Sequence, residues 1–411
     1  MEEKTGSCVV AGSICLDIIP DIQQQGAFLE AIQPGHLLHI GAPILATGGT
    51  VANTGLALYK LGINTRLMGK VGDDPFGKEV LSLIGAINEN LIMEMQSHPD
   101  EHTSYTIILS PADTDRVFLH STGANDTFGP EDIDYAVLYD VDLFHFGYPT
   151  AMARMYSNDG EELVELLQRA KETGVTTSLD TSMFQRHGKT GDTNWEYLLK
   201  QTLPFVDIFL PSLDEILLML MPGKTVHEPD PALNRRLAET LLNFGAGIVV
   251  IKQGENGLYL RTMNAINGRD PGRAFTNMSG NWNNREIWAP AFKVSMVGTT
   301  GAGDCAIAGF LAALLRGMKP EDALILSAAV GAWPGAGWQP ICCARTGRDT
   351  FYQGPGSPLP RMPSRQVGLF RPDHVRRIDA AGLQRNRTRN VPFRTRFTNA
   401  LVQCLVKPVE L

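Results

Sequence analysis

The chain has 411 residues, of which 43% are hydrophobic and 19% charged, a balance that supports a full buried core and excludes a disordered polymer or a collagen-like fibre. Its 6 cysteines include no C-x-x-C pair, which speaks against a disulfide scaffold or a zinc site. The net charge of −8 averages two unlike parts: twelve arginines and one lysine against four carboxylates give residues 341–411 a net +9 and leave residues 1–340 at −17, so one uniform domain is not expected.

The opening MEEKTGSCVV is acidic and has no apolar h-region, so no secretory signal is visible. No apolar run approaches the roughly 20 residues that span a bilayer. A soluble cytoplasmic protein without a membrane partner is the expectation.

In chain order, residues 23–47 (QQQGAFLEAIQPGHLLHIGAPILAT) and 102–120 (HTSYTIILSPADTDRVFLH) read as extended β segments. They can pair as a small sheet, a lid built from about 17–47 and 102–120. Asp74-Pro75 before FGKEVLSLI predicts an N-cap followed by proline at the first helical position. GEELVELLQRAKETG (160–174) repeats leucine at helical spacing and stops at Gly174. VTTSLD (175–180), FVDIFLP (205–211) and GIVVIK (247–252) read as buried strands. Strand alternating with helix predicts an α/β fold, a mostly parallel central sheet with helices on both faces. Its ligand belongs beyond the carboxyl ends of the strands. Residues 261–286, rich in Asn, Gly and Arg, read as a surface insertion. PEDALILSAAVGA (320–332) predicts a helix. From about Trp333 onward, Pro and Gly interrupt every period, and only LVQCLVKPV (401–409) suggests a short apolar element. Residues 333–411 are therefore read as an irregular basic tail beside a domain covering 1–332.

The stretch that carries chemistry is VGTTGAGDCAIAGFLAALLRG (297–317). Thr299, Thr300, Gly301, Ala302, Gly303 and Asp304 form a glycine-rich turn that runs into a helix. Free N–H groups in the first turn of a helix, together with its dipole, suit an anion such as a terminal phosphate. A carboxylate at that place competes with the anion unless it takes a proton from the hydroxyl attacking the phosphate. A plain turn with Asp as a helix cap would account for the same residues. No Gly-Lys-Ser/Thr follows, so this is not a Walker A loop.

The segment resembles the C-terminal signature of the ribokinase (PfkB) family of carbohydrate kinases. A second stretch, Gly48-Gly49-Thr50-Val51-Ala52-Asn53 with Gly69-Lys70-Val71-Gly72-Asp73-Asp74-Pro75-Phe76-Gly77, is similar to the family's N-terminal signature. The likeness covers roughly residues 7–332. It implies a ribokinase-like fold and ATP-dependent phosphorylation of a sugar hydroxyl. Asp304 would be the base, and Gly301, Ala302 and Gly303 the anion hole. The resemblance further implies Asp17, Gly48, Gly49 and Asn53 at the sugar, Thr299, Thr300, Lys252, Gly254 and Gly257 at the nucleotide, and Glu215 organising Mg²⁺. Ser212 stands where the family's N-x-x-E motif has Asn, and Gly298 where many members have Asp, which leaves a monovalent cation undecided. The same family includes nucleoside kinases, and a non-catalytic binding protein of this fold remains an alternative. A homodimer through the lid is a further expectation.

The tail lies outside the likeness. Its arginine excess and scattered Pro and Gly suit translation in a shifted reading frame. Arg385, Arg387, Arg389, Arg394 and Arg396 near Phe393 and Phe397 raise nucleic-acid binding, against which stands the absence of any recognition motif. His120 and His145 read as core or lid residues, and Cys305 as a small packing residue.

Overall fold

The computed structural model describes residues 6–22, 32–111, 116–184, 189–226, 230–266, 270–276, 280–292, 301–332 and 376–377. In its first half the strands are β1 (Ser7–Gly12), β2 (Cys15–Ile19), β3 (Ile44–Gly48), β4 (Asn64–Met68), β5 (Lys70–Gly72), β6 (Gln96–His98), β7 (Tyr105–Leu109) and β8 (Val117–Ser121). There follow β9 (Leu143–Gly147), β10 (Thr176–Leu179), β11 (Ile208–Phe209), β12 (Ile248–Lys252), β13 (Leu258–Thr262), β14 (Glu286–Ala289) and β15 (Arg376–Arg377).

The main sheet has the order β15-β14-β13-β12-β11-β10-β9-β1-β4. Its pairs from β4 to β12 are parallel, and the three pairs beyond β12 are antiparallel. Adjacent residues of a strand face opposite sides, and here both sides are covered. Val10, Leu67 and Val250 pack with α1 (Gly49–Lys60), α2 (Pro75–Gly85) and two later helices. Val9, Phe144 and Val249 pack with α3 (Glu161–Glu172), α4 (Leu213–Leu220) and α5 (Pro231–Phe244). The later pair is α6 (Ala302–Leu315) and α7 (Pro320–Ala332). A Cβ on Gly309 would lie 2.9 Å from Val330 Cβ, so glycine lets these two helices approach closely. Among the described residues, no helix is long and apolar enough to cross a membrane.

A four-stranded sheet, β3-β2-β7-β8, stands beside the main one. Within 23–47 the extended reading fails for most of its length. Residues 32–43 contain no strand; Pro34, Pro43 and the left-handed Gly35 (φ 80°) break the ladder. Residues 23–31 lie outside the described residues, as do 112–115 within the 102–120 segment.

Two other expectations change. FVDIFLP yields only the two-residue β11, because Leu203–Phe205 is a 3-10 turn built on Pro204. The 261–286 insertion is not confined to the surface: Ile266, Ala274, Phe275 and Trp282 are buried. Arg273 straps it down by donating to the carbonyls of Val141 at 2.8 Å, Thr173 at 2.6 Å and Leu138. Of the basic tail, only Arg376–Arg377 is described, as the strand paired with β14.

Candidate active site

Asp304 is the third residue of α6, whose N-cap Gly301 is left-handed (φ 75°, ψ 0°). That backbone suits glycine. The N–H of Cys305 closes the first turn on Gly301 O at 2.8 Å, so the preceding N–H groups have no partner within the helix. Gly303 is exposed, whereas Asp304 is buried.

Two donors from distant parts of the chain hold the Asp304 carboxylate. Tyr148 OH donates to Oδ1 at 2.6 Å, and Asn53 Nδ2 donates to Oδ2 at 3.0 Å. Burial raises the Asp304 pKa, with Tyr148, Lys252 and Asn53 acting against it. Tyr148 follows β9 with left-handed backbone (φ 63°, ψ 41°), a conformation that costs about 1 kcal/mol or more for a residue with a Cβ. Burial and the neighbouring Asp304 push its phenol well above the ordinary value.

Asn53 lies on α1, and its Oδ1 is buried without a hydrogen-bond partner, an acceptor left open toward the site. Gly48 and Gly49 start this helix for different reasons. A Cβ on Gly48 would fall 2.5 Å from Asp17 Oδ2, and Gly49 has φ 82° against Ser13 O. Asp17 on β2 is buried, and Cys15 Sγ donates to its Oδ1 at 3.4 Å. Burial pushes its pKa up to about 6.

On the other side stands Lys252 at the end of β12. Its Nζ is 3.9 Å from Asp180 Oδ2, and a Cβ on Gly303 would lie 3.8 Å from its Cε. The ammonium thus sits between a carboxylate and the amino end of α6. Asp180 is buried with no side-chain hydrogen bond to either oxygen, and the Tyr148 backbone N–H faces it. Burial holds its pKa well above the carboxylate range, Lys252 opposing and Asp304 and Glu215 adding to the rise. His145 stands 3.6 Å from Asp180 Oδ1. Burial, with Lys252 nearby, pushes its pKa down to about 3, so it is neutral.

Glu215 forms a capping box with Ser212: its Oε2 accepts the Ser212 N–H at 2.8 Å, and Ser212 Oγ accepts the Glu215 N–H at 3.2 Å. The Thr181 hydroxyl also donates to Oε2 at 2.9 Å. Among the described residues, no group of three or more His, Cys, Asp or Glu could hold a metal by itself. Gly254 and Gly257 bound the turn between β12 and β13. Gly254 (φ 54°) faces open space, whereas a Cβ on Gly257 (φ 85°) would run into Ala289 O, so the latter is required by packing against β14. Gly298, Thr299 and Thr300 lie outside the described residues.

The structure therefore gathers Asp304, Asn53, Lys252 and Glu215 with three residues that sequence reasoning did not select: Tyr148, Asp180 and Thr181. Asp180 had a readable signal, since it directly follows the carboxyl end of the parallel strand β10, where ligand sites of such sheets form. Tyr148 had none, because its left-handed backbone is invisible in Gly-Tyr-Pro.

Residues 7–334 match the family model described as pfkB family carbohydrate kinase. An uncharacterized sugar kinase of Archaeoglobus fulgidus is 26% identical over 267 residues, 65% of this chain and 89% of that protein. The 2-dehydro-3-deoxygluconokinase of Thermoproteus tenax is 23% identical over 314 residues, 74% of this chain and 84% of the relative. Among solved structures, Arabidopsis thaliana ribokinase complexed with ribose and ATP superposes with a TM-score of 0.62 at 20% identity, covering 80% of this chain and 93% of the other. The fold is that of the ribokinases.

Proposed function

Since the chain belongs to the pfkB family of carbohydrate kinases, we propose that it moves the γ-phosphoryl group of ATP to a sugar hydroxyl, with Asp304 as the general base. The observation that carries this reading is the placement of a buried carboxylate, held by two neutral donors, directly beneath the open first turn of α6. As the sugar oxygen bonds to phosphorus, its proton passes to Asp304 and the bond to the departing ADP breaks. The first-turn N–H groups of Gly301, Ala302 and Gly303 stabilise charge on the transferring group. Burial raises the Asp304 pKa, which makes it a stronger base than an exposed aspartate.

Asp17, Gly48, Gly49 and Asn53 form the sugar side, with the Asp17 carboxylate and the unpartnered Asn53 Oδ1 as the acceptors for sugar hydroxyls. Lys252, with the turn between Gly254 and Gly257, forms the nucleotide side, a role the family resemblance also assigns to Thr299 and Thr300. The residues present fit Mg²⁺, because Asp180 and Glu215 supply hard oxygen donors and no side chain hydrogen-bonds the Asp180 oxygens. Those two carboxylates would hold the ion, which when bound neutralises charge on the phosphates. Few protein ligands are needed, since Mg²⁺ bound to a nucleotide keeps water and phosphate oxygens.

A sugar panel with ATP and Mg²⁺ tests the activity, with adenosine as competitor to separate a nucleoside acceptor. Asp304→Asn should lower turnover by about 10²–10⁴-fold while ATP and sugar still bind. Unchanged turnover in that variant would remove Asp304 from the role.

A further inference from the structure

We propose that Tyr148 is a positioning residue for this reaction: its phenol fixes one oxygen of Asp304 and keeps that carboxylate ionised and aimed. The inference rests on the reading of Asp304 as the base. Its grounds are geometric. The 2.6 Å bond from Tyr148 OH joins residues 156 apart in sequence, and it is the shorter of the two bonds that clamp the carboxylate. A donor to an ionised acceptor makes a stronger bond than a neutral pair. The backbone at Tyr148 is left-handed, in a place where glycine would rest without strain. A strained non-glycine residue whose side-chain oxygen reaches the reacting carboxylate indicates that the side chain is what the site requires.

Tyr148 also answers a problem that burial creates. Asp304 shares its surroundings with Asp180, whose own pKa the charges of Asp304 and Glu215 help to raise. Lys252 on β12 is the cation facing it. From α1 it faces the neutral Asn53 and the Thr54 hydroxyl. Cys305 is its chain neighbour on α6. The acidic residues of α7, Glu321 and Asp322, lie at the far end of that helix, beside Arg285 and Lys319. Hydrogen bonding to the charged form lowers a carboxyl pKa, and among the groups that oppose burial at Asp304 the Tyr148 phenol ranks first.

The test is the pH dependence of kcat/KM in the full chain with ATP, Mg²⁺ and the best sugar of the panel. Tyr148→Phe keeps the ring and the backbone and removes only the hydroxyl. Its acidic limb should move to higher pH, with activity on that limb about tenfold lower and sugar affinity by calorimetry unchanged. Replacing Tyr148 by 3-fluorotyrosine, a more acidic donor, should move the limb the opposite way. Carboxyl ¹³C titration of Asp304 gives a readout independent of turnover, and its midpoint should rise in Tyr148→Phe. A uniform loss at every pH with an unmoved limb, or a ¹³C midpoint that stays in place, overturns the proposal. If Asp304→Asn keeps full activity, the reading of the base fails, even where the ¹³C midpoint responds to Tyr148→Phe. The two failures are thus told apart.

Discussion

Asp17 is costly to ionise when no sugar is bound. Its carboxyl is buried on β2 with the Cys15 thiol and the Thr106 hydroxyl as partners, and its pKa is raised to about 6. An acid whose pKa is higher in the folded than in the unfolded chain favours folding fully below the unfolded value near 4, and that contribution is lost as pH rises through 6. The sugar-free protein should therefore lose stability between pH 4 and 6. Asp17→Asn should flatten that part of the curve and gain about 2–3 kcal/mol at pH 7, while sugar affinity falls. Urea unfolding across this range, with calorimetric sugar titration, checks both; an equal slope in the variant would show that Asp17 is not the titrating group. The same residue explains what was legible in Gly48-Gly49. The pair stands out in sequence, yet only the structure separates Gly49, which needs a left-handed backbone, from Gly48, which clears room for the Asp17 carboxylate.

Helix ends were the most readable elements, because their signals are local. Asp74-Pro75 begins α2, with Asp74 Oδ1 accepting the Gly77 N–H at 2.8 Å, and α7 spans the residues expected of it. The Asp74 carboxylate does more than cap. It also accepts the Thr103 N–H at 2.8 Å and the Thr103 hydroxyl at 2.7 Å, tying α2 to the segment that enters β7. Asp74→Ala should cost about 1–2 kcal/mol, measured by thermal or urea unfolding. A loss below a few tenths would mean that these bonds are replaced by water at no net cost. Elements fixed by distant contacts were harder to read. β11 is shortened by a proline turn, and the 261–286 insertion has the composition of a surface loop but is held inward by Arg273 and buried Trp282. Tyr148 belongs to the same class, since nothing next to it in sequence requires its bond to Asp304.

At the scale of the molecule, we propose a kinase domain over residues 1–332, with residues 333–411 as a basic tail that returns to the sheet at Arg376–Arg377, and a homodimer formed through the lid sheet. Both edge strands of that sheet leave apolar side chains in solvent: Ile44 and Leu45 on β3, and Phe118 and Leu119 on β8. Exposed apolar clusters of this kind suit a second copy of the same surface. Light scattering should give twice the chain mass, and Phe118→Asp with Leu119→Asp should return the monomer. A wild-type monomer at every concentration would refute the dimer.

The clamp on Asp304 has a consequence in time. Asn53 lies 251 residues before Asp304, a stretch that a ribosome making 5–20 residues per second covers in about 10–50 s. During that interval Asn53 waits with its partner unmade, and Tyr148 waits over the last 156 residues of it. Contacts of such long sequence separation form late and slowly. The Asp304 carboxylate is therefore expected to reach its place only after its two holders have been positioned. No chain ending before Asp304 can hold all three groups, so the clamp is among the last contacts to close.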